Sequence, residues 1–439
     1  MITLQAPASK SVSHRMLIAA ALAPGESLVQ GVLDSEDLRL TRAILCLAGA
    51  QMHDLGGGAW KVMGMPGGPR GGVDSPLLCD AGESGTTCRL LTAVLAAGHG
   101  KFCMDGARRM RERPIGSLID VLNALGSSIA YGQAAGFPPL LIDACGLRGG
   151  KASLSLDSSS QYLSGLLLAS PLCPEPLTVT LTGSKVVSWP YVGLTLSVLE
   201  DFGIRFAVEQ LDGMAWSAVP WRSVTAACPG KLRITVFPGA YHAGTCSVEG
   251  DWSGASCLLA AGAVGKAPVM VRGLRDDSLQ GDRDMLDILR RMGAEVQISP
   301  RGIVVSPAPL QGISVDMGNC PDLVPTVAML AACAAGDTAI TNVAHLRIKE
   351  CDRLDACARE LERAGIRTDQ DDSSLVIHGA GRQRPSIGAS TVFCAHNDHR
   401  IAMSAALLCL ACDVPPSLDD PDVVRKSFPE FWNVWSALR

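Results

Sequence analysis

Aromatic residues are scarce in this sequence, where eight Phe, seven Trp and four Tyr make up 4% of 439 residues. Ala, Leu and Val must therefore carry most of the core packing. An excess of positive charge is also lacking, because 38 Lys and Arg stand against 43 Asp and Glu, which gives a net charge of −5 and an isoelectric point near 5.9. This balance does not favour a nucleic-acid-binding surface, and we expect no nucleic-acid partner.

Signals for export, membrane insertion and metal binding are missing as well. The opening residues, "MITLQAPASK", lack the basic and apolar regions of a signal peptide, and runs such as "MLIAAALA" are too short to span a bilayer. Among the sixteen cysteines, Cys409 and Cys412 spell C-x-x-C, but no second pair with zinc spacing accompanies them, and no P-loop or strand-linked G-x-G-x-x-G is present. We expect a cytoplasmic globular protein with reduced thiols, no metal site and no membrane partner.

A repeated pattern dominates what the sequence does contain. Six segments each begin with polar or charged residues and continue as an Ala/Leu-rich helix. Their markers lie 74, 72, 92, 72 and 75 residues apart. The markers are Arg15, Arg89, Gln161, Ser253, Pro325 and Arg400.

A second pattern, Leu-x-x-x-Gly followed by a strand-like stretch, falls between these segments and keeps a similar period. We expect each glycine to end a helix before the chain turns into a strand. Chance similarity between Ala-rich helices would not hold two markers in register. The glycines are Gly49, Gly126, Gly203, Gly293 and Gly365.

The repeats predict six βαβαββ-like units in two groups of three. The longest interval places extra residues between the third and fourth units, around "WRSVTAACPGKLRITVFPGAYHAGT". The sixth unit has its second helix in "FPEFWNVWSAL" and stops before a strand, which "MITLQA" could supply. We therefore predict one domain from residues 1–8 plus 247–439, closed by the N-terminal strand, and a second from residues 9–246.

The stretch "SKSVSHR" suggests what the helix starts bind. Locally, residues 9–15 are predicted as a polar loop and residues 16–23 as a helix, so Lys10 and Arg15 would lie at the positive end of its dipole, unless they are simply solvated. If three helices per domain point their N-termini at one face, two opposed faces would form an electropositive cleft. Such a cleft selects small polyanions such as phosphates and carboxylates.

Other helix starts carry matching candidates. From the arginine-rich stretch 108–113 we retain Arg113 as a ligand, and "GESGTTCR" offers Gly85 for close backbone approach to an anion. Adjacent Lys349 and Glu350 could form a cation-tuned proton donor. Asp322 opens another repeat, where an ordinary N-cap role is the simpler alternative.

Motifs along the whole chain resemble the enolpyruvyl transferases, and among them those that act on shikimate 3-phosphate. The motifs are "SKSVSHR", "GESGTTCRLL", "RMRERPIG", "SSQYLSGLL", "SWPY", "VEGDWSGAS", "PDLVPTVAMLA", "LRIKECDRL", "NDHRIAM" and "KSFPEF". The resemblance implies a two-domain inside-out α/β barrel of six βαβαββ repeats, three per domain, with a hinge between the domains.

The resemblance also implies a reaction, in which the enolpyruvyl group of phosphoenolpyruvate passes to the 5-hydroxyl of shikimate 3-phosphate and phosphate is released. No metal or organic cofactor is expected, and we expect a monomer that closes on its two substrates. Implied ligands of shikimate 3-phosphate are Lys10, Ser11, Arg15, Ser159, Ser160, Gln161, Ser188, Asp322, His345 and Lys349, with Tyr191 lining the site. Implied ligands of phosphoenolpyruvate are Lys10, Gly85, Arg113, Gln161, Arg353, Arg400 and Lys426.

In the implied addition–elimination mechanism, Asp322 takes the proton of the 5-hydroxyl and Glu350 delivers a proton to the methylene carbon of phosphoenolpyruvate. Lys10, which would reach both ligands, completes the implied catalytic set. Two positions depart from the family pattern: Glu83 and His345 stand where many members carry Asn. A third departure is Trp189 within the "SWPY" motif.

Two alternatives stay open at this level. The sister enzyme that acts on UDP-N-acetylglucosamine shares the fold and the donor, although "SSQ", "SWPY" and "IKECDR" favour the shikimate substrate. A non-catalytic anion-binding protein could use the same scaffold, although intact Asp322 and Glu350 argue against it.

Overall fold

The structure of the chain, a computed structural model, describes residues 1–381, 385, 387–388 and 391–438. None of the sixteen cysteines, all of which lie in these residues, forms a disulfide. Within the described ranges, no helix has the length and apolar character needed to cross a membrane.

Helices and short turns account for much of the chain. The α-helices are α1 (Lys10–Leu22), α2 (Glu36–Leu47), α3 (Gly85–Ala96), α4 (Gly116–Ala124), α5 (Gln161–Ala169), α6 (Pro190–Asp201), α7 (Trp252–Val264), α8 (Met285–Arg291), α9 (Val324–Ala332), α10 (Arg353–Arg363), α11 (His399–Ala411) and α12 (Phe431–Ser436). Short 3-10 helices lie at Met110–Glu112, Ser170–Leu172, Trp221–Ser223, Gly281–Asp284, Pro321–Leu323, Ala344–Ile348 and Pro421–Lys426.

The strands are short and spread along the whole chain. They are β1 (Ile2–Gln5), β2 (Glu26–Gln30), β3 (Gln51–Gly56), β4 (Ala59–Met63), β5 (Leu77–Asp80), β6 (His99–Asp105), β7 (Ser128–Tyr131), β8 (Leu140–Cys145), β9 (Gly150–Leu156), β10 (Leu177–Val186), β11 (Phe206–Asp212), β12 (Ala215–Ala218), β13 (Leu232–Val236), β14 (Thr245–Ser247), β15 (Val269–Arg272), β16 (Glu295–Ser299), β17 (Gly302–Ser306), β18 (Ser314–Asp316), β19 (Ala335–Thr341), β20 (Thr368–Gln370) and β21 (Leu375–Ala380).

The chain divides into two compact units. Unit 1 comprises Met1–Ser9 and Glu249–Arg439, and unit 2 comprises Lys10–Val248. The boundaries expected from the sequence lie after residues 8 and 246, and those of the structure lie after residues 9 and 248.

Four of the sheets share one strand order, which reveals the repeat in three dimensions. The orders are β14-β2-β4-β3 and β5-β6-β8-β7 in unit 2, and β1-β15-β17-β16 and β18-β19-β21-β20 in unit 1. In each sheet the first two strands are parallel and the last two form an antiparallel pair. In the sheets β5-β6-β8-β7 and β18-β19-β21-β20 one helix follows each of the first two strands, so the predicted βαβαββ unit is confirmed there, and in the other two sheets the pattern holds from the second strand onward.

The N-terminal strand joins unit 1, but in a different repeat from the one expected. Strand β1 pairs in parallel with β15, from Ile2 opposite Val269 to Gln5 opposite Arg272. It is therefore the first strand of the fourth repeat, and the assignment of "MITLQA" to the sixth repeat was wrong. Strand β14 plays the same part for the first repeat, because it pairs in parallel with β2. The strand that precedes each group of three repeats in the chain therefore belongs to the first sheet of the other group.

The third repeat contains the extra residues. Its sheet has the order β12-β11-β13-β10-β9, in which β13 takes the position held by the fourth strand elsewhere. Strand β12 pairs antiparallel with β11 and extends the edge of the sheet. The inserted residues therefore lie between β11 and β13. The insertion begins somewhat earlier in the chain than the stretch predicted from the sequence.

Helices form the interior of each unit, and the sheets cover them. Helices α1, α3 and α5 contact one another in unit 2, as α7, α9 and α11 do in unit 1. Nearly every residue of these six helices is buried, including polar first turns. Small residues permit the close packing: a Cβ on Gly165 of α5 would lie 2.9 Å from the Arg89 carbonyl oxygen of α3. This packing explains why so few aromatic residues are needed.

The helix ends test two local predictions. All five repeat glycines follow a helix with positive φ, between 72° and 118°, so their predicted role in helix termination is confirmed. The predicted polar loop before the first helix is wrong, because α1 begins at Lys10 and includes Arg15 in its second turn. Tertiary burial overrides the polar sequence there, since Ser13, His14 and Arg15 are all buried.

Candidate active site

In each unit, the N-terminal turns of the three interior helices carry side chains that contact one another. In unit 1, Arg400 of α11 bonds Ser253 of α7 and Asp322, which lies just before α9. In unit 2, Arg89 of α3 bonds Gln161 of α5. The helix starts of each unit therefore gather at one end, as the repeat pattern predicts, and the positive ends of the helix dipoles are concentrated there.

Unit 1 builds a dense cluster of charged side chains, which we call the carboxylate–arginine cluster: Asp322, Glu350, Arg353, Asp398 and Arg400. The Arg353 Nε–H donates to Asp398 Oδ2 at 2.7 Å, Nη1 to Asp322 Oδ1 at 2.8 Å and Nη2 to Glu350 Oε2 at 2.8 Å. Arg400 Nη2 donates to the other Asp322 oxygen, Oδ2, at 2.7 Å. Asp322 thus bridges two arginines, and Arg353 binds three carboxylates.

Helix caps hold this cluster in place. Asp398 is the N-cap of α11 and accepts the backbone N–H of Arg400 at 2.9 Å, so one buried carboxylate fixes the helix start and the Arg353 side chain together. Asp251 caps α7 in the same way and accepts a hydrogen bond from Ser253, whose hydroxyl oxygen accepts from Arg400. Sequence-local capping therefore orients residues that meet only after folding.

The charges in the cluster stabilise one another. Burial alone would raise the pKa of Asp322, but Arg400, Arg353 and Lys349 more than offset that effect and hold it far below the ordinary value. Burial alone would lower the pKa of Arg353, but its three carboxylate neighbours raise it well above the ordinary value. The arrangement therefore favours the ionised forms of both side chains.

Three further predicted site residues belong to unit 1. Lys349 follows the short helix Ala344–Ile348 and is close enough to lower the pKa of Asp322 by its charge. His345 is buried within that short helix. Lys426 donates to the carbonyl oxygen and to Oδ1 of Asn397, directly before the Asp398 cap.

Arg15 of unit 2 lies in a different environment. Its guanidinium donates to the hydroxyl oxygens of Thr195 and Ser164 and to the carbonyl oxygens of Ser11 and Tyr191. None of these contacts supplies a negative charge, and burial lowers the pKa of Arg15 to about 10. A buried cation bound by neutral groups is a favourable place for an anionic ligand.

A second group in unit 2 surrounds Gly85. A Cβ at this position would lie 2.6 Å from Arg113 Nη2 and 2.7 Å from Arg89 Nη1, so only glycine leaves room for both guanidiniums. Arg113 donates to the Glu83 carbonyl oxygen, and Arg89 donates to Gln161 Oε1 at 2.9 Å. The structure thus brings the predicted residues Gly85, Arg113 and Gln161 together through Arg89.

Lys10 is placed by an ion pair at the start of α1. Its Nζ lies 2.9 Å from Asp37 Oδ2, and both side chains are 12% exposed. The Asp37 carbonyl oxygen accepts from the Thr87 hydroxyl, and the Thr87 backbone N–H donates to the hydroxyl oxygen of Ser84, the N-cap of α3. This chain of bonds connects the first turn of α1 to that of α3.

The predicted serines lie at the starts of α5 and α6. Ser160 is the buried N-cap position of α5, and the Ser159 hydroxyl oxygen accepts the backbone N–H of Gln161. Ser188 is buried and has φ of 55°, an unusual conformation for a residue with a side chain. Next to it, the unusual Trp189 is buried and donates its indole N–H to the Val224 carbonyl oxygen in the insertion of the third repeat.

Two open interpretations can be decided. Asp322 is not an N-cap, because α9 is capped at Leu323 and the Asp322 carboxylate binds arginines instead. In the arginine-rich stretch, Arg108, Arg109 and Arg111 form ion pairs with nearby acids at the surface, whereas Arg113 is buried beside Gly85.

Sequence reasoning missed three residues that organise these groups: Asp398, Arg89 and Asp37. Asp398 and Arg89 lie inside quoted motifs, and the N-cap preference for Asp before a helix could have singled out Asp398. Asp37 lies in "LDSEDLRL", where no local signal indicates a partner. In the part of the chain that the structure describes, no group of three or more His, Cys, Asp or Glu side chains could hold a metal ion.

Comparisons with known proteins place nearly the whole chain beside one group of sequences. A sequence model described as EPSP synthase (3-phosphoshikimate 1-carboxyvinyltransferase) matches residues 2–216 and 224–435. A curated 3-phosphoshikimate 1-carboxyvinyltransferase from Syntrophobacter fumaroxidans is 38% identical over 99% of this chain and 96% of its own length. One from Thiobacillus denitrificans is 37% identical over the same shares.

A solved structure extends the likeness to the fold. An EPSP synthase from Acinetobacter baumannii superposes with a TM-score of 0.75 at 26% identity, covering 99% of this chain and 95% of its own. The resemblance noted in the sequence is thereby confirmed, and the architecture is the two-domain inside-out α/β barrel. The chain belongs to the EPSP synthase (3-phosphoshikimate 1-carboxyvinyltransferase) family.

Proposed function

We propose that this chain transfers the enolpyruvyl group of phosphoenolpyruvate to the 5-hydroxyl of shikimate 3-phosphate and releases phosphate, the enolpyruvyl step of the shikimate pathway. The carboxylate–arginine cluster carries the proposal. It joins two carboxylates able to move protons, Asp322 and Glu350, to two arginines able to bind anions, Arg353 and Arg400, in one hydrogen-bonded group.

The substrates divide the remaining residues between them. For phosphoenolpyruvate the proposed ligands are Lys10, Gly85, Arg113, Gln161, Arg353, Arg400 and Lys426. For shikimate 3-phosphate they are Lys10, Ser11, Arg15, Ser159, Ser160, Gln161, Ser188, Asp322, His345 and Lys349. Planar guanidiniums suit carboxylate and phosphate groups because they donate paired hydrogen bonds to them.

The proposed chemistry is an addition followed by an elimination. The 5-hydroxyl oxygen attacks C2 of phosphoenolpyruvate, its proton passes to Asp322, and Glu350 protonates C3 to a methyl group. The tetrahedral adduct then loses phosphate from C2 while the Glu350 carboxylate takes a proton back from that methyl group, which restores the carbon–carbon double bond. Lys349 steadies the negative charge of Asp322, and Lys10 contacts both substrates.

Electrostatics must supply most of the rate. A positioned acid or base contributes roughly 10²–10⁴-fold, whereas bringing two polyanions into contact requires their mutual repulsion to be offset. The buried guanidiniums of both units provide fixed positive charge for this purpose.

The decisive experiment measures phosphate release from phosphoenolpyruvate with either of two acceptors. We expect turnover with shikimate 3-phosphate and none with UDP-N-acetylglucosamine. Turnover with the UDP-sugar alone would assign the sister activity, and binding of phosphoenolpyruvate without turnover on either acceptor would leave a non-catalytic anion-binding protein.

Glu350→Gln tests the assigned proton donor. The amide keeps the shape of the side chain and a hydrogen-bonding oxygen for Arg353 but cannot deliver a proton, so kcat should fall by roughly 10²–10⁴-fold while both substrates still bind. Stopped-flow turnover and calorimetric binding separate the two effects. Unchanged kcat would remove Glu350 from this role.

The state of the working enzyme is part of the proposal. We propose a monomer that acts in the cytoplasm without a metal or organic cofactor. Turnover after exhaustive treatment with a chelator, together with light scattering at working concentration, tests the cofactor and the oligomeric state. If the chelator abolished activity and added metal restored it, the proposal of an enzyme without a metal cofactor would be overturned.

A further inference from the structure

The two arginines of unit 1 proposed to bind phosphoenolpyruvate are already bound by acids of the chain itself. All three nitrogens of the Arg353 guanidinium donate to carboxylates, and Arg400 Nη2 donates to Asp322. An incoming anion can use these N–H groups only if a resident carboxylate leaves them.

Burial distinguishes the carboxylates that can leave from the one that cannot. The Asp322 and Glu350 side chains are 18% and 15% exposed, so solvent and a small ligand can reach them. Asp398 is completely buried, binds Arg353 through both oxygens and caps α11. Moving Asp398 would open a helix end and leave a charge unpaired in the interior, which is strongly unfavourable.

We propose that Asp322 and Glu350 are resident anions that phosphoenolpyruvate displaces from Arg353 and Arg400, while Asp398 stays and positions both arginines. This proposal rests on the proposed function. The exchange couples binding to chemistry, because Asp322 accepts a proton poorly while two guanidiniums hold both of its oxygens. The same step that seats phosphoenolpyruvate releases the Asp322 carboxylate that must take the proton of the 5-hydroxyl, and it frees Glu350 from Arg353 so that Glu350 can take up from solvent the proton that it later delivers.

The exchange predicts opposite effects from two substitutions that remove the same charge. Asp322→Asn weakens the internal competitor, so phosphoenolpyruvate should bind roughly ten-fold more tightly, equivalent to about 1.4 kcal/mol. Asp398→Asn loosens Arg353 and should weaken binding. Asp372→Asn, at an exposed position, reports the effect of net charge alone and should leave the Kd nearly unchanged.

Isothermal titration of the full-length chain with phosphoenolpyruvate, and separately with inorganic phosphate, measures these Kd values. A Kd for Asp322→Asn equal to or weaker than that of the unmodified chain would overturn the exchange, and so would equal tightening in all three variants. If Asp398→Asn does not fold, comparing the Kd values of Asp322→Asn and Asp372→Asn for phosphoenolpyruvate still tests the exchange. Turnover of the unmodified chain with shikimate 3-phosphate is measured in parallel, so a failure of the proposed function is seen separately.

Discussion

Arg353 in unit 1 and Arg15 in unit 2 are almost equally buried, at 2% and 1% exposed, but they are bound in opposite ways. Three carboxylates surround Arg353 and raise its pKa, whereas hydroxyl and carbonyl oxygens surround Arg15 and its pKa falls. Unit 1 therefore balances its buried charge internally, and unit 2 holds a buried charge that these contacts leave uncompensated.

This difference assigns distinct tasks to the two groups. A buried cation with only neutral partners suits a ligand that is anionic throughout the reaction, such as a phosphate monoester. A group of matched acids and bases suits the place where protons move, because small changes in contact alter which carboxylate is ionised. Not every cation of unit 2 is bound by neutral groups alone, because Lys10 forms an ion pair with Asp37.

The largest expected difference in stability is between variants that lack one or the other of these two arginines. Arg353→Met leaves Asp398 buried without its cation, and we expect a loss of about 3–5 kcal/mol of unfolding free energy. Arg15→Met should cost only about 1 kcal/mol or less, because Thr195 and Ser164 bond each other at 2.9 Å and Thr195 also bonds the Tyr191 carbonyl. Urea unfolding at neutral pH measures both.

Equal losses for the two variants would refute the contrast between the units. Binding of shikimate 3-phosphate is measured on the same variants. Arg15→Met should weaken this binding strongly, although the substitution changes the unfolding free energy little. Arg15→Lys serves as the control, because it keeps the charge but loses the planar fork that bonds several oxygens at once.

The contrast also shows what sequence could and could not predict. The glycines Gly49 and Gly365 were predicted correctly because helix termination depends on a local backbone conformation. The pairing of Arg353 with Asp398 spans 45 residues and that of Arg89 with Gln161 spans 72, and no local preference encodes either. The motifs single out candidate site residues, but which of them contact one another depends on the fold.

The repeat count succeeded for a related reason. Each unit needs the same buried interior helix, so the Ala/Leu-rich segments recur at a fixed interval whatever their polar starts contain. The exchange of first strands between β1 and β14 could not be read from the sequence, because both strands are short and each would fit the edge of several sheets.

A substitution of intermediate effect tests the close packing around Gly85 in unit 2. In Gly85→Ala the new methyl group meets the guanidiniums of Arg113 and Arg89, which can move because they end flexible side chains. Folding should therefore survive, but the displaced guanidiniums should raise KM for phosphoenolpyruvate by roughly ten- to a hundred-fold with little change in kcat.

Gly193→Ala provides the matched control for that kinetic measurement. A Cβ at Gly193, inside α6, meets nothing within 4 Å. Alanine should stabilise this helix by about 0.5–1 kcal/mol and leave KM for phosphoenolpyruvate unchanged. A similar rise of KM in both variants would show that the Gly85 effect does not arise from the two guanidiniums.

The smallest expected effect concerns His378, an ion-paired group at the surface of unit 1. It shows what ion pairing contributes to stability where burial does not add to it. His378 on β21 bonds Asp369 through Nε2 and Asp337 through Nδ1, both at 2.8 Å, and these hydrogen bonds raise the pKa of the imidazole. Its folded pKa thus exceeds the ordinary value of about 6.5. The stabilisation that protonated His378 gives the folded state is complete below about pH 6.5, the ordinary value that applies in the unfolded chain. It is lost as the pH rises through the higher pKa of the folded state.

His378→Gln should abolish this pH dependence in thermal unfolding measured from mildly acidic to mildly alkaline pH. Because the pair is exposed, added salt should shrink the difference between the two proteins, whereas it should hardly change the loss caused by Arg353→Met. Parallel stability curves for His378→Gln and the unmodified chain would show that the surface pair adds nothing. Equal salt sensitivity at both sites would mean that burial does not protect the carboxylate–arginine cluster, and the contrast between the two units would then lose its physical basis.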